Sequence, residues 1–136
     1  MNYKGRVMVL IKMEGNEKTF QCGQFLCRIW RNPALGTLNG YIGVDKSFPL
    51  YGKGLDYVVY DRKTVRDVFR VHGGLTYAGK KWNDGRWYFG FDTGHPGDYI
   101  PALDNGGTYR DMNYVKEQLE SLVDQFSRFS VTKKVK

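Results

Sequence analysis

The chain of 136 residues lacks the run of about 18 apolar residues that a membrane span requires. Its first apolar run, Val7–Ile11, is short and is soon followed by Glu14, which indicates a strand and not a signal peptide. The chain also lacks the phosphate-binding fingerprints GxxxxGKS/T and GxGxxG opening a helix. These absences predict a cytoplasmic protein without a P-loop or a dinucleotide-binding βαβ unit.

Cysteine and histidine are scarce, with two of each. No second Cys or His pair follows Cys22 and Cys27 at ligand spacing, so these cysteines do not predict a zinc site. In a cytosolic chain we expect both thiols to be reduced and partly buried.

Basic residues outnumber acidic ones by 21 to 14, which gives a net charge of +7 at pH 7. Three of the lysines lie in the segment 131–136, which we expect to be a frayed basic tail on a single domain, 1–130. The other bases are scattered along the chain. This pattern favours a small anionic partner, or solubility alone, over a nucleic-acid-binding face.

Alternation of apolar and polar residues predicts strands at 5–13, 19–30, 39–44 and 64–71. The segment 19–30 also fits a helical period, and 55–60 fits either a short helix or a strand. The segment 45–55 is rich in Gly, Pro and aromatic residues and predicts a loop.

A helix is the clearest element of the chain. Thr108 and Asp111 fit a capping box at its start. Apolar residues then recur at spacings of three and four, at Met112, Val115, Leu119, Leu122, Val123 and Phe126. The sequence therefore predicts an α+β fold: a mostly antiparallel sheet with one long C-terminal amphipathic helix packed on it.

The segment 71–99 contains both histidines, two of the three tryptophans and seven of the 17 glycines. So many polar groups would need partners in a dry core, whereas they suit the wall of a pocket. We expect this segment to form the functional site.

The pair Asp84-Gly85 predicts a tight turn that joins a strand at 75–77 to a return strand at 87–91. Such a hairpin would gather four side chains near its open end, and we treat them as the candidate catalytic residues: His72, Asp92, His95 and Asp98. The alternative is a tight bulge with a surface histidine and no site.

These four residues are compatible with three alternative functions. Two histidines with orienting carboxylates can act as base and acid on a phosphodiester. They can also bind a divalent metal, or hold a polar ligand by hydrogen bonds alone. The expected cofactor is therefore none or a divalent metal. Nucleophilic catalysis by the chain is disfavoured, because the segment 71–99 has no Ser or Cys and its threonines have no reactive context.

Other residues of the segment fit a bound ligand. Gly73 and Gly74 can adopt positive φ and present successive N–H groups to an anion. Thr76 lies close to them in the chain, and aromatic rings would stack on a planar ligand, at Tyr77, Trp82, Trp87 and Tyr51. Tyr51 belongs to the loop 45–55, which is either a flap over the ligand or a loop pinned to the core by its aromatics.

The chain resembles a family of small phage and prophage proteins in five segments: GYIGV at 40–44, FPLYGK at 48–53, VHGGLTY at 71–77, WYFGFDTGHPGD at 87–98 and YRDMNYVKEQLESL at 109–122. By this resemblance the family's motif positions fall on His72, Gly73, Gly74, Phe91, Asp92, His95 and Asp98. The resemblance implies a phage protein, and small phage proteins often disarm host immunity by sequestering or cleaving nucleotide signals. It does not extend to the two-histidine phosphodiesterases with repeated His-x-Thr motifs, because no matching Thr follows His95.

Three hypotheses follow for the cytoplasm of an infected bacterium. The first is a protein that captures a small anionic ligand, a nucleotide immune signal. The second is a small hydrolase, a phosphodiesterase, that uses His72 and His95 with Asp92 and Asp98. The third is an inhibitor that blocks a host defence protein by surface contact. None of them requires a membrane, and each is compatible with an oligomer.

Overall fold

The protein begins with a helix. In this computed structural model, which describes residues 1–135 and the side chains of residues 1–130, helix α1 spans Tyr3–Glu14. Asn2 caps its start by accepting a hydrogen bond from the Gly5 N–H at 2.8 Å, and Gly15 ends it with φ +80°. The predicted strand at 5–13 is therefore wrong. The alternation of apolar residues in this segment does not reflect a strand. Caps at both ends, and the helix-favouring Met, Leu, Lys and Arg between them, stabilise a helix instead.

Within the described residues the chain then forms seven strands: β1 (Glu17–Cys22), β2 (Phe25–Arg31), β3 (Leu38–Val44), β4 (Val58–Tyr60), β5 (Lys63–Thr64), β6 (Tyr77–Gly79) and β7 (Trp87–Asp92). Five of them make one antiparallel sheet in the spatial order β1-β2-β3-β7-β6, and β4 pairs with β5 separately. The predicted single strand at 19–30 is two strands, because the backbone turns at Gly23 with φ +58°.

A short helix, α2 (Val65–Val68), follows β5, so the predicted strand at 64–71 is also wrong. Thr64 and Asp67 form a reciprocal capping box around its first turn. The local capping bonds outweigh the β-branched composition of this segment. Helix α3 (Met112–Val135) is the long C-terminal helix.

Helix α3 packs against β2 and β3. Its predicted apolar stripe is confirmed, since Val115, Leu119, Leu122 and Phe126 are fully buried. The predicted capping box at its start is wrong. Asp111 caps the helix by accepting from the Tyr114 N–H at 2.8 Å, while the Thr108 backbone pairs with the loop at Gly97 and Tyr99. The predicted α+β architecture is confirmed.

The sheet has two unlike faces. The helix face is in contact with α3 and carries apolar side chains: Phe25, Cys27, Ile29, Ile42, Val44, Phe89 and Phe91. The open face carries the alternate residues of the same strands: Arg28, Trp30, Asn39, Tyr41, Tyr77, Tyr88 and Asp92. Two glycines let the buried rings lie flat on the open face. A Cβ would lie 2.5 Å from the Tyr41 ring at Gly90 and 2.5 Å from the Tyr88 ring at Gly43.

One buried arginine joins α1 to the sheet and to α3. All five N–H donors of Arg31 are hydrogen-bonded, among them to Glu14 at 3.1 Å and to the Tyr109 hydroxyl at 2.8 Å. The other oxygen of Glu14 accepts from the Met112 N–H at 3.0 Å, at the first turn of α3. A helix that buries only Val7 is thus held in place by a polar network.

The cysteines are unpaired with each other, as expected, and burial raises the pKa of the Cys27 thiol to about 12. No helix in the described part of the chain is long and apolar enough to cross a membrane. The backbone of 131–135 belongs to α3, but the side chains of the predicted basic tail, and Lys136 as a whole, lie outside the described residues.

Candidate functional site

The structure brings the two imidazoles together. His72 precedes β6 and His95 follows β7, and the centroids of the two rings are 6.1 Å apart. The β6–β7 hairpin causes this proximity, because its register pairs Tyr77 with Gly90 and its tip turns at Gly85 with φ +80°. Residues that lie outside the two paired strands therefore meet at the open end of the hairpin.

His72 is held at both ring nitrogens. Its Nε2 lies 2.8 and 3.0 Å from the two carboxylate oxygens of Asp98, and its Nδ1 lies 2.8 Å from the Tyr114 hydroxyl. Its backbone N–H donates to the Gln118 side chain at 2.9 Å. The imidazole is only 13% exposed. His72 is therefore fixed in one orientation by a loop residue and by helix α3.

Asp98 is the most buried group of the site, with 1% of its side chain exposed. Burial alone would raise the pKa of this carboxyl. Hydrogen bonds from His72, from Arg110 Nε at 2.9 Å and from the His95 N–H at 3.0 Å outweigh burial and hold the pKa below its ordinary value. Asp98 is therefore an ionised acceptor with three donors around it.

The loop that carries Asp98 is tied to the approach of α3. Tyr99 N–H donates to the Thr108 carbonyl at 2.7 Å, and Thr108 N–H donates to the Gly97 carbonyl at 2.8 Å. The Asn105 side chain donates to the Asp98 carbonyl at 2.9 Å. These bonds place Arg110 beside the Asp98 carboxylate.

His95 and Asp92 form the more exposed half of the site, at 28% and 35% exposure of their side chains. His95 Nε2 lies 3.2 Å from Asp92 Oδ1, in a contact that is not a hydrogen bond. This buried nitrogen consequently has no hydrogen-bond partner among the described residues. Asp92 accepts from the Thr76 hydroxyl at 3.1 Å and from the Gly94 N–H at 2.9 Å.

Gly73 and Gly74 do not form the predicted anion site of successive free N–H groups. The Gly74 N–H donates to the Val71 carbonyl at 2.9 Å, and the preceding His72 N–H is also bonded. Both glycines do adopt positive φ, at +67° and +81°. Gly73 has a different use: a Cβ there would lie 2.2 Å from His95 Cδ2, so the missing side chain makes room for the imidazole.

The structure separates the four aromatic residues that were predicted to line a ligand. Tyr77 and Trp82 lie on the open face, where both rings contact Tyr41, with centroids at 5.8 and 5.0 Å. Trp87 and Tyr51 lie on the side of the helix face and pack against the core and each other. The Trp87 indole N–H donates to the Lys53 carbonyl at 2.9 Å. Only Tyr77 and Trp82 share a face with Asp92.

The open face gathers cations as well as rings, which sequence reasoning missed. The Lys81 ammonium lies between 5.1 and 5.7 Å from four ring centroids, those of Trp30, Tyr41, Tyr77 and Trp82. The guanidinium of Arg28 lies 4.7 Å from the Trp82 ring centroid and donates to the Tyr88 hydroxyl at 3.0 Å. We call this set, Arg28, Trp30, Tyr41, Tyr77, Lys81, Trp82 and Tyr88, the cationic aromatic face.

Trp30 also belongs to a cleft of about 620 Å³, lined by Asn16, Glu17, Trp30, Arg31, Asn32, Pro33 and Gly36. The cleft lies next to the cationic aromatic face, at the edge where β1 and β2 meet the loop after β2. Of the residues of the cationic aromatic face, only Trp30 lines this cleft, and the hollow that Arg28, Trp30 and Trp82 line directly has a volume of about 50 Å³.

Among the described residues, no three His, Cys, Asp or Glu side chains converge in a way that could hold a metal ion. Two further residues of the site were not expected from the sequence, Tyr114 and Arg110. Both lie around the start of α3, in a segment whose pattern predicts only a cap and a core stripe. Comparison with protein-family models, curated proteins and solved structures finds no significant match.

Proposed function

We propose that the protein binds a small phosphate-bearing aromatic molecule, a nucleotide, on the cationic aromatic face. The observation that supports this proposal is the Lys81 ammonium among four aromatic rings, on the face of the sheet that α3 leaves uncovered. Aromatic rings stack on any base, and ammonium or guanidinium groups neutralise phosphates. A nucleotide carries both complementary features in one molecule.

The burial of the rings fits a binding surface in two layers. Tyr41 and Tyr88 are buried against the sheet, at 4% and 0% exposure. Trp30, Tyr77 and Trp82 lie above or beside them and are half-buried, so part of each ring contacts solvent. A base can reach this second layer without displacing the first.

The same face leads to the histidine site. Asp92 lies on β7 on the same side as Tyr88, and its carboxylate holds Thr76, the residue next to Tyr77. A ligand that extends from Trp82 past Tyr77 would reach Asp92 and His95. We further propose that the ligand is a nucleotide signal of host immunity and that its capture is the biological role, in line with the expectation of a phage protein.

Titration calorimetry with nucleoside mono-, di- and triphosphates, cyclic dinucleotides and unphosphorylated nucleosides tests the proposal. We expect phosphorylated compounds to bind and nucleosides to bind far more weakly. Lys81→Ala should lower the affinity about tenfold or more, because one charge-assisted contact is lost. Lys46→Ala, an exposed lysine on the loop after β3, is the matched control and should change nothing. Failure of every nucleotide to bind the wild type overturns the proposal.

Hydrolysis is a second candidate function, because the two imidazoles lie 6.1 Å apart and each is beside a carboxylate. The more exposed His95 would contact the substrate, and His72 is oriented by Asp98. Chromatography of the same nucleotides after incubation distinguishes the two functions. Intact ligand recovered after denaturation indicates capture, whereas new products that His95→Ala abolishes indicate hydrolysis. Products formed at an unchanged rate by His95→Ala would exclude a catalytic role of His95.

A further inference from the structure

We propose that the hydroxyl of Tyr114 is a nucleophile activated by His72 and Asp98. The three side chains form one hydrogen-bonded chain in the order carboxylate, imidazole, hydroxyl, with contacts of 2.8 Å on each side of the imidazole. This is the order in which a buried acid, a base and a hydroxyl nucleophile cooperate in hydrolytic triads. The inference goes beyond nucleotide binding, because binding requires no nucleophile.

The proton positions follow from the donors and acceptors. Asp98 already accepts from Arg110 and from the His95 N–H, so it is ionised and can only accept from His72. A neutral imidazole must then carry its proton on Nε2, which leaves the lone pair on Nδ1. The Tyr114 hydroxyl consequently donates its proton to Nδ1 and keeps its own lone pairs for another atom.

The three groups are held rigidly. Tyr114 lies in the first turn of α3, where its N–H is bonded to Asp111. Gln118, four residues later on the same side of α3, holds the His72 backbone at 2.9 Å. Nucleophile and base are therefore fixed to the same helix.

A cation lies over the face of the Tyr114 ring. The Arg110 guanidinium is 5.1 Å from the centroid of the Tyr114 ring, and it also pairs with Asp98. A positive charge so close stabilises a phenolate as the proton leaves.

The reaction that this arrangement fits is transfer of a phosphoryl group from a phosphate ester. The Tyr114 oxygen forms a bond to phosphorus, the ester bond to the leaving oxygen breaks, and the tyrosine proton moves to His72 Nδ1. The leaving oxygen takes the bonding electrons and then this proton. Water then attacks phosphorus while His72 takes one of its protons, and the bond between phosphorus and the tyrosine oxygen breaks. That oxygen takes the proton from His72, so phosphate leaves and the free hydroxyl is restored.

The test uses a probe that needs no knowledge of the natural substrate. Phenylmethanesulfonyl fluoride reacts with an activated hydroxyl: an oxygen–sulfur bond forms, the sulfur–fluorine bond breaks, fluoride leaves, and the proton moves to His72. Peptide mass spectrometry of the full chain locates the label and gives its rate at each tyrosine. Tyr57 and Tyr60 are internal references, because they are exposed by 43% and 51% and more accessible than half-buried Tyr114.

We expect Tyr114 to be labelled first, in spite of its burial. Tyr57 is an especially close control, because Lys53 lies 4.8 Å from its ring centroid and supplies a cation without a base. His72→Gln should slow labelling of Tyr114 by on the order of 100-fold and leave Tyr57 unchanged. Tyr114→Phe should remove the label from that peptide. Labelling of Tyr57 or Tyr60 as fast as Tyr114, or no label on Tyr114, overturns the proposal.

Loss of labelling in His72→Gln would not report on activation if the variant failed to fold. Circular dichroism shows whether the variant is folded. The labelling rates within the wild type then decide, because Tyr57 and Tyr60 react in the same sample without an imidazole bonded to their hydroxyls. Tyr114 should be labelled faster than either of them, although it is less exposed. Equal rates for the three tyrosines would exclude activation. Loss of nucleotide binding in other experiments would leave this result untouched, so the two proposals fail separately.

Discussion

The Cα of Gly73 lies directly against the ring of His95, where a Cβ would come within 2.2 Å of Cδ2 and 2.3 Å of Nε2. Gly73→Ala must therefore move the imidazole, in addition to straining a backbone at φ +67°. We expect a loss of unfolding free energy above the roughly 1–2 kcal/mol that left-handed backbone alone costs, with a shifted His95 ring signal in the NMR spectrum.

Gly74→Ala is the matched control for this prediction. Gly74 has the same kind of backbone, φ +81°, but a Cβ there would meet nothing within 4 Å. Gly74→Ala should lose only the unfolding free energy that the left-handed backbone costs, and the NMR signal of the His95 ring should not shift. Equal costs for the two variants would mean that the contact between Gly73 and His95 is unimportant.

Asp98→Asn should destabilise the protein by about 3–5 kcal/mol, because it leaves Arg110 beside a buried site without its charge partner. The amide also presents a donor to His72, Arg110 or the His95 N–H, each of which is itself a donor. Urea unfolding at neutral pH measures the cost. Asp124→Asn, at a carboxylate that is 65% exposed, should cost at most about 1 kcal/mol.

The lowered pKa of Asp98 also predicts that the stability of the protein depends on pH. Its folded pKa is lower than its unfolded one, so its contribution is complete above the unfolded value of about 4 and is lost as the pH falls through the folded value. The melting temperature of the wild type should therefore fall below pH 4. The melting temperature of Asp98→Asn should fall less over the same pH range. An identical fall in both proteins would contradict the assignment of this pH dependence to Asp98.

Arg31→Ala should cost about 3–5 kcal/mol, because it leaves Glu14 buried without its cation. The contact between α1 and the start of α3 depends on Glu14, so both helices should loosen, with faster amide exchange in α1. Arg66→Ala removes an exposed ion pair and should cost about 0–1 kcal/mol. A mild effect of Arg31→Ala would show that apolar contacts alone hold α1.

The two tryptophans of the hairpin should differ in nucleotide binding. Trp82→Ala should weaken affinity by about 1–3 kcal/mol, the usual contribution of one base-stacking ring. Trp87→Phe should leave affinity unchanged, because Trp87 lies on the other side of the sheet. Calorimetry on both variants tests the placement of the ligand, and the opposite result would move the binding surface to the helix face.

The sequence predicts the hairpin and the meeting of the two histidines because the turn pair Asp84-Gly85 and the alternation in β7 are local signals. It places the first strand at 75–77, two residues before the observed Tyr77–Gly79. It fails at α1, where Val7, Val9 and Ile11 imitate a strand while the decisive capping residues lie outside the apolar run. It also merges β1 and β2, because a single glycine marks the turn between them.

No local sequence pattern predicts that Tyr114 belongs to the site. Tyr114 lies 42 residues from His72, and its helix has a pattern that core packing explains fully. Tyr51, Tyr77 and the two hairpin tryptophans are equally aromatic, so composition alone could not assign them to opposite faces of the sheet. That assignment requires the register of the strands and the direction in which each loop folds.

The contacts of His72 with α3 determine when the candidate site can form during synthesis of the chain. A nascent chain that has emerged from the ribosome only as far as His95 contains both imidazoles but neither Tyr114 nor Gln118, which hold His72 in place. The site can therefore be completed only after translation of α3, and any reactivity of this centre is delayed until the sheet has its covering helix.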